Sequence, residues 1–162
     1  MIFSEEQINN YMDEAIGEAL KAKSRSEVPI GCIIVNNTTG EVIGRGSNER
    51  EETQDAIKHA EIIAIEEACR TIGSWRLENT SLFVTLEPCP MCAGAIINSR
   101  IEEVIFGAND PKAGSVGSIN NLLTETRYNH QPTVLANVKE KETGDLLRNF
   151  FREIRLNSGK KN

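Results

Sequence analysis

The hydrophobic positions near the start of the chain repeat every three or four residues, which predicts an amphipathic helix. These positions are Ile8, Tyr11, Met12, Ala15, Ile16, Ala19 and Leu20. Ser4 comes just before the repeat, and Gln7 lies three positions after it. Ser-x-x-Gln is a capping-box pattern, so we expect the first helix to begin just after Ser4.

Short apolar runs bounded by turn residues predict five strands further along the chain. The runs are 30–35, a return run from 42, 81–86, 103–106 and 133–136. Between and after them, helical patterns are predicted from His59 to Gly73, over 90–98 and over 140–155. Residues 36–40 read as a hairpin turn, and the later strands are expected to have helical crossovers. The predicted fold class is therefore α/β, a three-layer sandwich with a mixed five-stranded sheet and helices on both faces.

Composition limits the class of protein. The chain has 162 residues, of which 39% are hydrophobic and 26% charged, which is typical of one globular domain. We expect a single domain over 1–162, with a flexible tail over about 157–162. There is no apolar run of membrane-spanning length and no basic-then-apolar leader, so the expected location is the cytoplasm, with no membrane contact.

Two short motifs carry the candidate chemistry: HAE at 59–61 and PCPMC at 88–92. They supply one imidazole from His59, two thiols from Cys89 and Cys92, and one carboxylate from Glu61. Three protein ligands leave a fourth coordination position open for water, as in catalytic zinc sites. Zinc lowers the pKa of such a water to about 7, and a nearby carboxylate can move its proton.

The spacing within the motifs suits this chemistry. Cys89 and Cys92 are three residues apart, so two thiolates would point the same way from the first turn of a helix. Glu61 is two positions after His59, so it projects differently and can approach the open position without being a ligand. Either motif alone is weak evidence, because Cys-x-x-Cys also occurs in redox pairs and structural sites.

The other two cysteines, Cys32 and Cys69, lie on apolar runs and are expected to be small core residues.

The paired motifs resemble the signature of the zinc-dependent nucleobase deaminases. Further segments are similar to the bacterial tRNA adenosine deaminases (TadA), and the similarity covers about 4–155. These segments are TLEPCPMCAGAI at 85–96, EVPIG at 27–31, IFGAND at 105–110 with Lys112, and GSVGS at 114–118. The chain departs from the family at Asn109, where arginine is frequent, and in a slightly longer turn at 37–40.

The resemblance implies a cytidine-deaminase-like fold and one zinc ion per subunit, with no organic cofactor. The implied reaction is hydrolytic deamination of adenosine to inosine at the wobble position of a tRNA anticodon loop, with Glu61 as the proton shuttle. It also implies a homodimer whose partner subunit contributes to the RNA surface. The implied substrate-binding residues are Val28, Asn48, Ala60, Asp110 and Phe151. Of the adjacent pair Phe150 and Phe151, one is expected in the core and the other beside the RNA.

The net charge of −6 is unusual for an RNA-binding chain. The charge is unevenly distributed, however, because residues 1–81 contain 8 basic and 15 acidic residues, whereas 82–162 contain 10 and 9. From Leu146 onward the chain contains five basic residues and only one acidic residue. This C-terminal segment is the predicted phosphate-facing part of the chain.

Three alternatives remain open from the sequence. The first is a deaminase of a free base or nucleoside such as guanine, cytosine or cytidine, which would use the same four site residues. The second is a non-catalytic deaminase-fold subunit, against which the intact Glu61 argues. The third is a small zinc-stabilised domain, which would need a fourth protein ligand. The only other histidine is His130, which is expected at the surface.

Overall fold

The computed structural model describes residues 1–160 and contains five α-helices and five strands in that range. The helices are α1 (Glu5–Ser24), α2 (Arg50–Thr53), α3 (Ala60–Ile72), α4 (Pro90–Ser99) and α5 (Glu140–Lys160). The strands are β1 (Gly31–Asn36), β2 (Val42–Ser47), β3 (Thr80–Leu86), β4 (Glu103–Ala108) and β5 (Thr133–Leu135). No helix in this range is long and apolar enough to cross a membrane.

The strands form one mixed sheet in the order β2-β1-β3-β4-β5. β1 pairs antiparallel with β2 and β3, whereas β3, β4 and β5 run parallel to one another. The predicted mixed five-stranded sheet is therefore confirmed. The predicted helical crossovers are present from β2 to β3, through α3, and from β3 to β4, through α4. Between β4 and β5 the prediction is wrong, because that segment contains a 3₁₀ turn (Leu122–Thr124) instead of an α-helix.

Successive side chains of each strand point to opposite faces of the sheet, and both faces are covered. Ile33, Phe83 and Ile105 pack with the apolar side of α1 on one face. Cys32, Leu82 and Phe106 and their neighbours pack on the other face with α3 and α4. The three-layer arrangement is confirmed, and Cys32 is fully buried, as expected, whereas Cys69 is half-buried against the core.

Helix ends follow the chemistry read from the sequence. Ser4 caps α1 and forms the predicted capping box with Gln7, whose backbone N–H lies 3.2 Å from the Ser4 Oγ. Gly73 ends α3 in the left-handed conformation that glycine adopts without strain (φ +69°).

α5 runs five residues beyond its predicted end. Of the predicted flexible tail, 157–160 are helical, and 161–162 lie outside the described residues, so the flexibility of the tail stays a prediction.

Candidate metal centre and active-site cavity

The two sequence motifs meet at the carboxyl ends of β3 and β4. β3 ends at Leu86, and the chain turns through Glu87 and Pro88 into α4. Cys89 is the N-cap residue of α4, and Cys92 lies in its first turn, as the spacing predicted. Pro90 lies in the first turn of α4. Backbone N–H groups there have no partner within the helix, so proline, which lacks an N–H, is tolerated. His59 is the N-cap residue of α3, so two helix N-termini converge on one point.

The three candidate ligands form a compact donor set. The Nδ1 atom of His59 lies 3.5 Å from the Cys89 Sγ and 3.6 Å from the Cys92 Sγ. All three donor atoms lie within 4.8 Å of one another. A tetrahedral zinc with ordinary Zn–S and Zn–N bonds would hold nitrogen and sulfur about 3.5 Å apart. The donor set therefore fits zinc in both chemistry and spacing.

The electrostatics of the site also favour a metal cation. Hydrogen bonding from the Cys92 thiol, together with His59, lowers the pKa of Cys89 to about 4 although burial opposes this. The pKa of Cys92 is raised, because it shares its proton with Cys89 and is buried. The hydrogen bond with Cys89 also raises the pKa of His59. Zinc binds cysteine as the thiolate, so the lowered pKa of Cys89 suits a metal ligand.

Glu61 lies in the first turn of α3 and is only 4% exposed. Burial raises the pKa of Glu61 to about 7, and the charge of Cys89 adds to the effect. A carboxyl group that titrates near neutral pH can both accept and release a proton during one reaction. In the described residues the metal-binding cluster contains His59, Cys89 and Cys92 but not Glu61.

A cavity of about 820 Å³ opens onto this cluster. His59, Glu61 and Cys89 line its floor, and Val28, Asn48, Asp110 and Phe151 line its walls. The structure thus brings four of the five predicted substrate-binding residues to the cavity. Ala60, the fifth, does not line it, because its side chain is fully buried in the core behind the wall.

The wall residues also make structural contacts. The Asn48 Oδ1 atom accepts a hydrogen bond of 2.9 Å from the Ala60 backbone N–H at the start of α3. Asp110 accepts bonds from the backbone N–H groups of Lys112 and Ala113, which makes it a turn residue as well as a wall residue. Phe150 is 6% exposed and Phe151 is 43% exposed. Phe150 is therefore buried as expected, and Phe151 lines the cavity, whereas its place beside the RNA stays a prediction.

His130 lies at the other end of the sheet. A ring nitrogen of His130 lies 2.6 Å from the carbonyl oxygen of Ile101, just before β4 begins. It is not part of the metal-binding cluster, which is at the opposite end of the same strand. Because no fourth histidine or cysteine ligand joins the cluster within residues 1–160, the geometry argues against a closed structural zinc site.

Among the charged residues that line this cavity, sequence reasoning missed Glu87 and Arg50. Glu87 stands at the end of a strand and directly before the PC motif, which is a position where buried polar residues gather in α/β folds. That signal was available in the sequence. Arg50 is the first residue of α2, a helix of four residues. No repeat of hydrophobic positions in the sequence predicted this helix.

Comparison with known proteins identifies the family. Residues 5–108 match the family model described as the cytidine and deoxycytidylate deaminase zinc-binding region. The chain belongs to this family of zinc-dependent deaminases. It is thus a deaminase, and its cofactor is zinc.

Within the zinc-dependent deaminase family, two relatives are particularly informative. The chain is 56% identical over 145 residues to a tRNA-specific adenosine deaminase of Bacillus subtilis, covering 90% of this chain and 89% of the relative. It also superposes with a TM-score of 0.81 on a solved structure from a study of A-to-I editing by tRNA:A34 deaminases. That structure is 41% identical, and the match covers 85% of this chain and 99% of the other.

A solved structure of a guanine deaminase from Nitrosomonas europaea has a similar fold at lower sequence identity. It superposes with a TM-score of 0.76 over 86% of this chain and 81% of its own, at 19% sequence identity. This match shows only that the two proteins share the fold. The predicted cytidine-deaminase-like fold is confirmed by the closer match.

Proposed function

We propose that this deaminase converts adenosine to inosine at the wobble position of a tRNA anticodon loop. The observation that carries the proposal is the zinc-binding cluster beside a buried Glu61, at the floor of a large cavity in a chain that is 56% identical to a tRNA-specific adenosine deaminase. His59, Cys89 and Cys92 would hold the zinc ion. When bound, the metal makes a water molecule acidic enough to attack at neutral pH.

Glu61 is the proposed proton shuttle. It accepts a proton from the attacking water and delivers it to N1 of the adenine ring, while the water oxygen adds to C6. A second transfer protonates the amino group, which leaves as ammonia. The balance is adenosine plus water to inosine plus ammonia. The pKa of about 7 that burial gives Glu61 suits both transfers.

The walls of the cavity suit a nucleotide in single-stranded RNA. Val28 provides an apolar surface for a base, and Asn48 retains an amide NH₂ group for hydrogen bonding because only its oxygen is used by Ala60. The exposed ring of Phe151 offers a stacking surface for a neighbouring base. We assign Asp110 to the nucleotide that flanks the target and Ala60 to the support of the wall.

Positive charge around the cavity supports an RNA partner despite the net charge of −6. The cationic residues that line the cavity are Arg50, Lys112, Arg148, Arg152 and Arg155. Three of these belong to α5, the segment predicted to face phosphate. This concentration of charge lies where the backbone of an inserted loop would pass. Since tRNA is the proposed substrate, the proposed location is the cytoplasm.

We also propose that the protein acts as a homodimer. Helix α4 has apolar residues around its whole circumference. This pattern is typical of a helix that other protein surfaces cover on every side. Its inner side, including Cys92 and Ile96, is buried against the sheet. Its outer side carries Met91 and Gly94, which are only partly buried in the single chain. A second copy would cover these two residues.

The test is deamination of an anticodon stem-loop RNA with adenosine at the wobble position, beside free adenosine, adenine, guanine and cytidine. We expect inosine in the stem-loop and no turnover of the free compounds. Turnover of guanine or cytidine alone would retain the zinc chemistry and refute the RNA substrate.

A further inference from the structure

Glu87 is a buried carboxylate that accepts four hydrogen bonds from one loop. It is 2% exposed. The backbone N–H of Asp110 donates to its Oε1, and those of Val116 and Ser118 donate to its Oε2, each at 3.0 Å. The Ser118 hydroxyl also donates to Oε1. All four donors belong to the segment 110–118, which we call the wall loop.

The wall loop is joined to the turn that carries the metal ligands. The backbone N–H of Glu87 donates to the Ala108 carbonyl at 2.9 Å, just before the loop begins. The N–H of Ser115 donates to the Pro88 carbonyl at 2.9 Å, directly before Cys89. On its other side the loop lines the active-site cavity with Asp110 and Lys112. Glu87 therefore stands between the metal centre and one cavity wall.

The loop is shaped to enclose this carboxylate. A Cβ atom at Gly114 would lie 2.3 Å from the Glu87 carboxylate, so a larger residue there would displace the carboxylate or the loop. The hydrogen bonds from Ser118, Asp110 and Val116 satisfy both oxygens of this buried carboxylate. No lysine or arginine forms an ion pair with Glu87 in the described part of the chain. Loop N–H groups and the serine hydroxyl are its polar partners.

We propose that Glu87 is a positioning residue that holds the wall loop in place before substrate binds. Through the loop it fixes Asp110 and Lys112 beside the nucleotide that flanks the target base. This second step rests on the proposed RNA deamination, whereas the anchoring of the loop does not.

The first test is hydrogen exchange of the zinc-loaded protein. Glu87→Gln keeps the shape but replaces one acceptor oxygen with an NH₂ group, which cannot accept from a loop N–H. We expect the amides of the wall loop to exchange about tenfold faster, as for loss of one hydrogen bond to a charged group. Amides of α1, on the other face of the sheet, should be unchanged. Bound zinc should remain at one per chain.

The second test is kinetic and uses the anticodon stem-loop RNA. In Glu87→Gln we expect KM to rise about tenfold with a smaller change in kcat, because the wall is displaced while zinc and Glu61 stay in place. Ser118→Ala is the matched mild variant, since it removes one donor and leaves three backbone N–H groups. Gly114→Ala disturbs the same contact from the loop side and should reproduce the effect of Glu87→Gln. It also keeps the test open if the Glu87 variant fails to fold.

Three results would overturn the proposal. The first is unchanged loop exchange and KM in folded, zinc-loaded Glu87→Gln and Gly114→Ala. The second is loss of zinc in step with the loss of activity, which would place the role of Glu87 at the metal turn. The third is equally fast exchange in α1 and the wall loop, which indicates general destabilisation. If the wild-type protein does not deaminate the RNA, the proposed function fails, and the exchange data still decide whether Glu87 anchors the loop.

Discussion

Glu61 is the residue on which the proposed chemistry depends, and it can be tested apart from the metal. Glu61→Gln keeps the size of the side chain but removes the group that accepts a proton. Since general acid–base catalysis contributes about 10²–10⁴-fold, we expect kcat on the stem-loop to fall by about a thousandfold. Metal analysis should still find one zinc per chain, because the cluster is His59, Cys89 and Cys92. Near-normal turnover would refute the assignment.

Asn48 combines a structural bond with a proposed substrate contact, and two substitutions separate them. His59 makes no side-chain capping bond at the start of α3, and the Asn48 Oδ1 accepts from the Ala60 N–H instead. Asn48→Ala removes this bond and should destabilise the fold by about 1 kcal/mol. Asn48→Asp keeps an acceptor but loses the NH₂ group, so its unfolding midpoint should fall less. Both variants should raise KM.

The contrast between the two Asn48 variants decides the interpretation. Thermal unfolding measures the capping bond, and KM on the stem-loop measures the substrate contact. Equal losses of stability in both variants would show that the oxygen of Asn48 does not support α3. An unchanged KM in Asn48→Asp would show that the NH₂ group does not contact the substrate.

The sequence predicts the metal-binding and acid–base residues better than the residues that hold them in position. His59, Glu61, Cys89 and Cys92 are recognisable because metal and acid–base chemistry require those residue types at short spacings. The bond from Ala60 to Asn48 joins residues 12 positions apart, and those from the wall loop to Glu87 span 23 to 31 positions. Such contacts depend on how strands and loops come together, which no local pattern records.

Among the elements, β2 shows what glycine can do inside a strand. Glycine usually weakens a strand, and β2 contains Gly44 and Gly46. The strand continues to Ser47, and its glycines allow α3 to pack closely. A Cβ at Gly46 would lie 2.2 Å from the Ala60 carbonyl oxygen, and one at Gly44 would lie 2.3 Å from that of Ala64. The glycines are packing residues.

Gly46→Ala should therefore destabilise the protein. The added methyl meets the backbone of α3, which cannot move away without displacing His59, so we expect a loss of at least about 1–3 kcal/mol in the free energy of unfolding. Gly17→Ala in α1 is the control, since nothing lies within 4 Å of its Cβ position. That substitution should stabilise the helix by up to about 1 kcal/mol. Urea unfolding of both variants measures the difference, and equal effects would contradict the packing role.

Helix α5 has a core residue and a cavity residue next to each other. Phe150→Ala removes a buried ring and should lower the free energy of unfolding by about 3–5 kcal/mol. Phe151→Ala removes a ring that is 43% exposed at the cavity, so stability should change little. RNA affinity should fall by about 1–3 kcal/mol in Phe151→Ala if a base stacks there. A binding titration with the stem-loop checks this, and unchanged affinity would contradict the stacking role.

For the whole molecule, the alternation of strands and helices was enough to predict a mixed sheet with helices on both faces. The order β2-β1-β3-β4-β5 was not predictable, because it depends on which strands pair across the core. The same order explains the site. It places the ends of β3 and β4 beside the start of β1, so two segments thirty residues apart in the sequence meet at one edge of the sheet.

Zinc would join α3 to α4 at this edge, so its removal should affect the whole molecule. Treatment with a chelator should lower the unfolding midpoint, because metal binding is coupled to folding.

Removal of zinc should also expose Cys89 to iodoacetamide, since Cys89 is half-buried and its pKa is lowered to about 4. Cys32 is fully buried and its pKa is raised, so it should stay unlabelled. Cys69 is the internal control, because chelation should not change its labelling rate. Equal midpoints with and without zinc, or labelling of Cys32 as fast as Cys89, would contradict a metal that joins these two helices.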